Sequence, residues 1–143
     1  MALFDSNLFS ENQAVTASAA STNSRDFGAP GTPVGAAGAL VLDLGLSEVE
    51  ILVQVTEAFA TLTSLKVAVQ ADNDSSFGSP TTLGSSEAIP AASLTKGYKF
   101  RLPVTIPEGA TERYIRLYYT VAGSNATAGK VFAGIVASRP AAL

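Results

Sequence analysis

Residues 49–71 read VEILVQVTEAFATLTSLKVAVQA, and their pattern decides the fold class. Apolar residues recur at every second position over 49–55 and again over 65–71. Because successive side chains of a strand point to opposite faces of a sheet, this period of two predicts half-buried β-strands. The intervening Ala58–Thr63 could make one turn of helix. We therefore expect two strands with a short turn between them.

The same alternation recurs in both directions along the chain. It is clear at 40–44, 98–106 and 114–121 and weaker at 13–19, whereas 130–137 is apolar on both faces. A short piece at Thr81–Leu83 could pair at a sheet edge. Turn signals fall between these segments, at Gly45, Asp72–Asp74, Gly97, Pro107–Gly109 and Gly123–Asn125.

About eight short strands without a helical period predict an all-β fold. We expect residues 1–143 to form a single antiparallel β-sandwich domain with jelly-roll-like topology. The pattern argues against architectures that alternate strands with helices.

The first 39 residues differ from the rest of the chain. Residues 1–12 are expected to be an extended N-terminal arm with two apolar pairs, Leu3 with Phe4 and Leu8 with Phe9. Residues 21–39 are rich in Gly, Pro, Ser and Thr, which predicts a loop that needs a surface to lie on.

The charge content is low for a soluble domain. Charged residues make up 15% of the chain, against about 25% on average, and burial against partner subunits would explain so weakly charged a surface. The net charge is −3 and no basic run is present, so we expect no nucleic-acid partner. No apolar stretch reaches the roughly 18 residues of a membrane span. The acidic start of the chain, with Asp5 and Glu11, is not expected to be a secretory signal.

The chain has neither histidine nor cysteine. This excludes thiolate nucleophiles, Ser-His and Cys-His pairs, imidazole acid–base catalysis, ordinary zinc sites and disulfides. We therefore expect a protein that is not an enzyme, with no catalytic residues, no cofactor and no metal.

The remaining polar motifs have simple structural interpretations. The cluster Asp72-Asn73-Asp74 could bind calcium, but the full ligand spacing is missing, and a polar turn is the better interpretation. Glu50 and Glu57 could serve as a glycosidase pair only if they converged across a cleft. The sequon at Asn125–Thr127 is expected to be an unmodified turn.

Two late strands are predicted to carry a basic, aromatic outer face. Lys99 and Arg101 share one side of the first, and Tyr114, Arg116 and Tyr118 share one side of the second. If the strands are neighbours, these five residues form one face, which is either a partner interface or an ordinary solvated sheet surface. Phe77, in the long connection 72–96, is a further apolar point of that kind.

Three stretches together resemble the cement (decoration) proteins of short-tailed phage capsids. They are MALFDSNLFSENQAVTASAASTNSRDFG (1–28), QADNDSSFGSPTTL (70–83) and ERYIRLYYTVAGSNATAGKVFAGIV (112–136). The resemblance implies a jelly-roll domain, made in the host cytoplasm, that binds the major capsid protein on the outer surface of the virion shell. It also implies a homodimer or other homo-oligomer, with no catalysis and no cofactor.

Two other functions stay open at this point. A β-sandwich could be a carbohydrate-binding module, although the absence of Trp weakens that hypothesis, and a hydrolase using carboxylates alone has no supporting constellation. For the partner interface we predict Leu3, Phe4, Leu8, Phe9, Phe77, Lys99, Arg101, Tyr114, Arg116 and Tyr118.

Overall fold

The computed structural model describes residues 7–41, 43, 48–105 and 107–136, which form eight antiparallel β-strands and a 3₁₀ helix. The all-β, antiparallel fold class is thereby confirmed. The strands are β1 (Leu8–Ala14), β2 (Ala19–Ala20), β3 (Arg25–Asp26), β4 (Glu48–Asp72), β5 (Thr81–Ser85), β6 (Ile89–Pro90), β7 (Lys99–Thr105) and β8 (Tyr114–Ile135), and the 3₁₀ helix is Ala91–Ser93.

Two long strands organise the molecule. β4 has 25 residues and β8 has 22, and they pair with each other near both of their ends, as at Ile51 with Ile135 and at Ala71 with Ile115. One end of this pair is flanked by β1 and β7, and the other by β2, β3, β5 and β6. We call the half with β1 and β7 the first sheet and the other half the second sheet.

The order of the strands is that of a jelly roll. We count each half of β4 and of β8 as one segment, β2 together with β3 as another, and β5 together with β6 as another. With β1 and β7, the described residues then form eight segments. The first sheet then has the order 1-8-3-6 and the second 2-7-4-5, so segments 1 and 8, 2 and 7, 3 and 6, and 4 and 5 are neighbours. This nested antiparallel pairing confirms the jelly-roll prediction.

The middle of β4 and β8 bends where each strand passes from one sheet to the other. The register shifts repeatedly between Val55 and Ser64 of β4, and Thr61 there has φ 73. Such bulges add a residue to one strand and turn it without ending it. The helical turn expected at Ala58–Thr63 is therefore wrong, and so is the turn at Gly123–Asn125.

Gly129 shows why the bend in β8 requires glycine. Its φ is 140, and a Cβ added to it would lie 2.3 Å from a ring carbon of Phe59. The Phe59 ring is 8% exposed, so it fills the bend against the glycine backbone. Any other residue there would have to move this ring as well as adopt a strained backbone conformation.

One hydrophobic cluster joins the two sheets. Alternate residues of β4 and β8 are buried in it, as the period of two predicts. It includes Phe9, Ile51, Val53, Val55, Leu65, Val67, Val69, Ile115, Leu117, Tyr119, Val131 and Ala133, all 1% exposed or less.

A buried polar network also links the sheets. The hydroxyls of Tyr119 in the second sheet and Ser10 in the first lie 2.7 Å apart. Ser10 donates to Gln13 Oε1 at 2.6 Å, so the Tyr119 hydroxyl is the donor to Ser10. The Gln13 amide donates in turn to the Ala20 carbonyl. Burial raises the pKa of the Tyr119 phenol, because ionisation would leave a charge in the core.

Several expectations for the first 44 residues were wrong. Residues 8–14 of the extended arm form β1, which pairs with β8 inside the first sheet. The strand considered at 13–19 is not a single strand, because Ala14 ends β1 and Ala19 begins β2. Leu40 and Val41 are exposed and outside any strand. Leu42 and Leu44, also expected in a strand, lie outside the described residues.

Candidate partner-binding surfaces

The predicted N-terminal anchors divide into two pairs. Leu8 and Phe9 are 7% and 0% exposed, and Phe9 belongs to the core cluster. Their prediction as partner contacts was wrong, because the chain's own core uses these side chains. Leu3 and Phe4 lie outside the described residues.

Phe77 is also covered by its own chain. It follows the Asp72–Asp74 turn with φ 53 and is 7% exposed. The Arg116 guanidinium carbon lies 4.2 Å from the centre of the Phe77 ring, as a cation–π contact. Phe77 therefore packs against Arg116 on the outer face of the second sheet and is covered by its own chain, so its prediction as a partner contact was wrong.

The five-residue basic, aromatic face is divided between the two sheets. Lys99 and Arg101 are in β7, where Lys99 pairs with Gln54. Tyr114, Arg116 and Tyr118 are at the other end of the fold, where Tyr118 pairs with Ala68 beyond the bend of β4. The condition for one shared face, that the two strands are neighbours, is not met, because each strand borders a different half of β4.

Three of the five residues do share one surface, the outer face of the second sheet. Arg116 donates from Nε to Gln70 Oε1 at 2.9 Å, and its guanidinium lies 5.8 Å from the Tyr118 ring centre. Arg113, which the sequence-based set omitted, lies 5.0 Å from the Tyr114 ring centre. We call these four residues the Tyr–Arg face.

Arg113 also fixes the edge of the Tyr–Arg face. Its Nε and Nη2 donate to the two carboxylate oxygens of Asp26 in β3, at 2.5 and 2.6 Å. This bidentate pair, with a further hydrogen bond from the Gly28 N–H, lowers the pKa of the Asp26 carboxyl. In the Tyr–Arg face, each arginine guanidinium therefore lies over a tyrosine ring, and Arg113 also binds the Asp26 carboxylate.

The Asp72–Asp74 cluster is the polar turn that the sequence favours. The two carboxylate oxygens of Asp72 accept hydrogen bonds from the N–H groups of Asp74 and Ser79, and Asp74 accepts one from Ser76. The first two bonds lower the pKa of Asp72. Within the described ranges, no group of three or more Asp, Glu, His or Cys side chains is placed to hold a metal ion.

The two glutamates considered as a hydrolytic pair each have a basic neighbour. Glu57 forms an ion pair with Lys130 at 2.8 Å, directly across the strands, and Glu50 lies 3.7 Å from Arg101. These pairs explain both carboxylates as surface charges of the sheets.

A small groove lies between the β5–β6 connection and β7. Its volume is about 290 Å³, and it is mainly apolar because Ile89, Tyr98 and Phe100 line it. Arg101 contributes to its wall, so this member of the predicted interface borders a concave surface. Tyr98, whose ring centre lies 6.0 Å from that of Phe100, was not in the predicted interface.

The most exposed apolar surface is one that the predicted residue set omits, the loop of residues 27–41, which we call the apolar loop. Phe27, Val34, Leu40 and Val41 are 41%, 106%, 60% and 77% exposed, and every exposed large hydrophobic side chain of the described residues is among these four. The loop begins the longest stretch of the chain without a charged residue, which runs to Leu42. That stretch is the sequence signal that could have identified it.

The apolar loop has a fixed base and a free tip. At the base, Phe27 N donates to the Arg113 carbonyl at 3.0 Å. Farther out, the loop closes on itself, with hydrogen bonds from Ala36 N to Pro33 O and from Leu40 N to Gly31 O, both 3.0 Å. The described body therefore presents this loop to its surroundings instead of covering it.

The comparison with known protein families identifies the family of this chain. Residues 9–135 match the family described as Bbp16. The chain belongs to the Bbp16 family. The Bbp16 family is phage-associated, and the match extends from β1 to the end of β8, so it includes both sheets and the apolar loop. No curated protein matches this Bbp16 chain. Among its described residues, no helix is both long and apolar enough to cross a membrane.

Proposed function

We propose that this chain is a virion structural protein, and specifically a capsid cement protein. In this proposal it binds the outer surface of a tailed-phage shell, contacts the major capsid protein and stabilises the joints between shell subunits. The observation that carries the proposal is the Bbp16 match over residues 9–135, which connects a jelly-roll body to phages.

The architecture supports a mechanical role. β4 and β8 each run through both sheets, and a buried hydrogen-bond network ties β1 to β8. A body held together in this way can transmit force between two attachment points. Many identical contacts on a lattice add up through avidity, so no single contact has to be strong.

The composition supports repeated association as well. A chain with 15% charged residues and an exposed apolar loop gains from burying surface against partners. The proposal includes self-association, as a homodimer or another homo-oligomer, and it assigns no catalytic activity, cofactor or nucleic-acid partner.

The test uses purified shells of the phage that encodes the protein, prepared without it. Adding the protein is expected to saturate at a fixed ratio to the major capsid protein and to raise the temperature at which the shells open. Resistance to osmotic shock should rise in parallel. Shells that bind no protein, or that open at the same temperature with and without it, would contradict the proposal.

A carbohydrate-binding role is the second candidate, because Tyr114 and Tyr118 share the outer face of the second sheet. Arginine side chains already lie over both rings, which leaves less aromatic surface for a sugar. Binding on a glycan array that is lost in both Tyr114→Ala and Tyr118→Ala would favour this function.

A further inference from the structure

We propose that the apolar loop, residues 27–41, is the segment that attaches this protein to the shell, and that it docks into an uncharged apolar recess between shell subunits. This inference rests on the proposed function and adds to it the contact surface and the chemistry of the recess. It departs from the sequence-based interface, whose described apolar members, Leu8, Phe9 and Phe77, are buried.

The first argument is the position of the exposed apolar side chains. Val34 is 106% exposed at the loop tip, and Leu40 and Val41 are more than half exposed on the returning limb. Single exposed apolar residues are common on protein surfaces, but a contiguous group indicates an interaction site. Here the group is confined to one loop, while every large hydrophobic side chain described in the body is buried or half-buried.

The second argument is electrostatic. A charged partner surface would lose hydration on contact with this loop and would gain no opposite charge in return. The complementary surface is therefore uncharged as well as apolar.

The third argument concerns the size of the contact and selects the shell over a second copy of this chain. A stable stand-alone interface uses about 20–30 residues on each side. The apolar loop has 15 residues, from Phe27 to Val41, which is short of that range. Such a contact is too small to hold two free protomers together at high dilution, but it suits a lattice on which the same contact is repeated many times.

The fourth argument is the base of the loop. Phe27 N donates to the Arg113 carbonyl and Gly28 N to the Asp26 carboxylate, which also pairs with Arg113, the residue directly before β8. Force on the loop is therefore transmitted into the longest strand pair of the fold, as an attachment point requires.

The experiment compares shell binding by the full-length protein and by Val34→Asp/Leu40→Asp/Val41→Asp. The matched control, Ser124→Asp, adds a carboxylate at an exposed position in the bend of β8. Circular dichroism and the melting temperature establish that each variant is folded. We expect the triple variant to bind shells at least roughly a hundredfold more weakly, since three apolar contacts are lost, and Ser124→Asp to bind like the wild type.

The outcomes separate this inference from the proposed function. If the wild type binds shells and the triple variant binds equally well, the apolar loop is not the attachment segment, while the cement role stands. If the wild type does not bind, the proposed function itself fails. Analytical ultracentrifugation adds a third outcome: a triple variant that dissociates into monomers but still decorates shells would show that the loop contacts a second copy, which overturns the inference.

Discussion

The jelly-roll body and the apolar loop treat apolar side chains in opposite ways. In the body, alternation along β4 and β8 places large residues in one cluster that is almost fully buried. In the apolar loop, the side chains of Val34, Leu40 and Val41 are exposed instead. Hydrophobic residues in the body therefore determine stability, whereas those in the loop are available for binding.

The largest expected effect comes from removing a body residue that resembled a partner anchor in the sequence. Phe9→Ala should lower the free energy of unfolding by about 3–5 kcal/mol, because it leaves a cavity in the core cluster. Urea unfolding followed by circular dichroism measures this. If Phe9→Ala kept wild-type stability and lost only shell binding, Phe9 would be an anchor after all.

The next largest loss of stability is expected when a glycine of the body is replaced, and a glycine of the loop serves for comparison. Gly129→Ala should cost about 2 kcal/mol or more, because its Cβ would overlap the Phe59 ring and its φ of 140 disfavours alanine. Gly38→Ala is the control, since nothing lies within 4 Å of its added Cβ. Equal melting temperatures for the two variants would show that the bend of β8 is not constrained as described.

A smaller loss of stability is expected when the hydrogen-bond network between the sheets is interrupted. Tyr119→Phe should lower the free energy of unfolding by about 1 kcal/mol at neutral pH, because the hydrogen bond to Ser10 is lost.

The same variant tests the pH dependence. The folded state raises the pKa of Tyr119 above its ordinary value of 10.0, so the stabilisation by the un-ionised phenol is complete below that pH. As pH rises above about 10, the phenol ionises first in the unfolded state, so the folded state of the wild type is destabilised relative to its unfolded state. The wild-type advantage over Tyr119→Phe should therefore shrink with rising pH. A difference that stays constant from pH 8 to 11 would contradict this account of the network.

The smallest expected effect on stability is in the apolar loop. Val34→Asp should change the free energy of unfolding by less than about 0.5 kcal/mol, because the side chain contacts little of its own chain. Thermal unfolding of this variant beside Phe9→Ala gives the comparison directly. A loss of several kcal/mol would mean that the loop is part of the body.

The regular parts of the fold could be predicted from the sequence. The period of two at 65–71 and 114–121 correctly gave strands and their buried sides, and the count of about eight segments led to the jelly roll. The bends could not be predicted in the same way, because glycine and polar residues at 123–125 signal a turn whether the chain reverses or passes into a second sheet. Only long-range pairing, such as Leu62 with Gly123, decides between the two.

The candidate interface was harder to predict than the fold. Leu8 and Phe9 have the composition of an exposed anchor, and nothing in the local sequence shows that the folded chain buries them. Lys99 and Tyr114 would share a face only if their strands were neighbours, and the local sequence does not show that each strand pairs with a different half of β4. The absence of charge from residue 27 to residue 42 was visible, but only the fold shows that this stretch projects from the body.

The central claim, that the body provides stability and the apolar loop binds the shell, can be tested by hydrogen exchange. Amide exchange is measured by mass spectrometry for the free protein and for the protein bound to shells. The account predicts that peptides covering residues 27–41 exchange rapidly in the free protein and become strongly protected on shells, while core peptides of β4 and β8 change little. Unchanged exchange in 27–41, with new protection at residues 114–118, would contradict it.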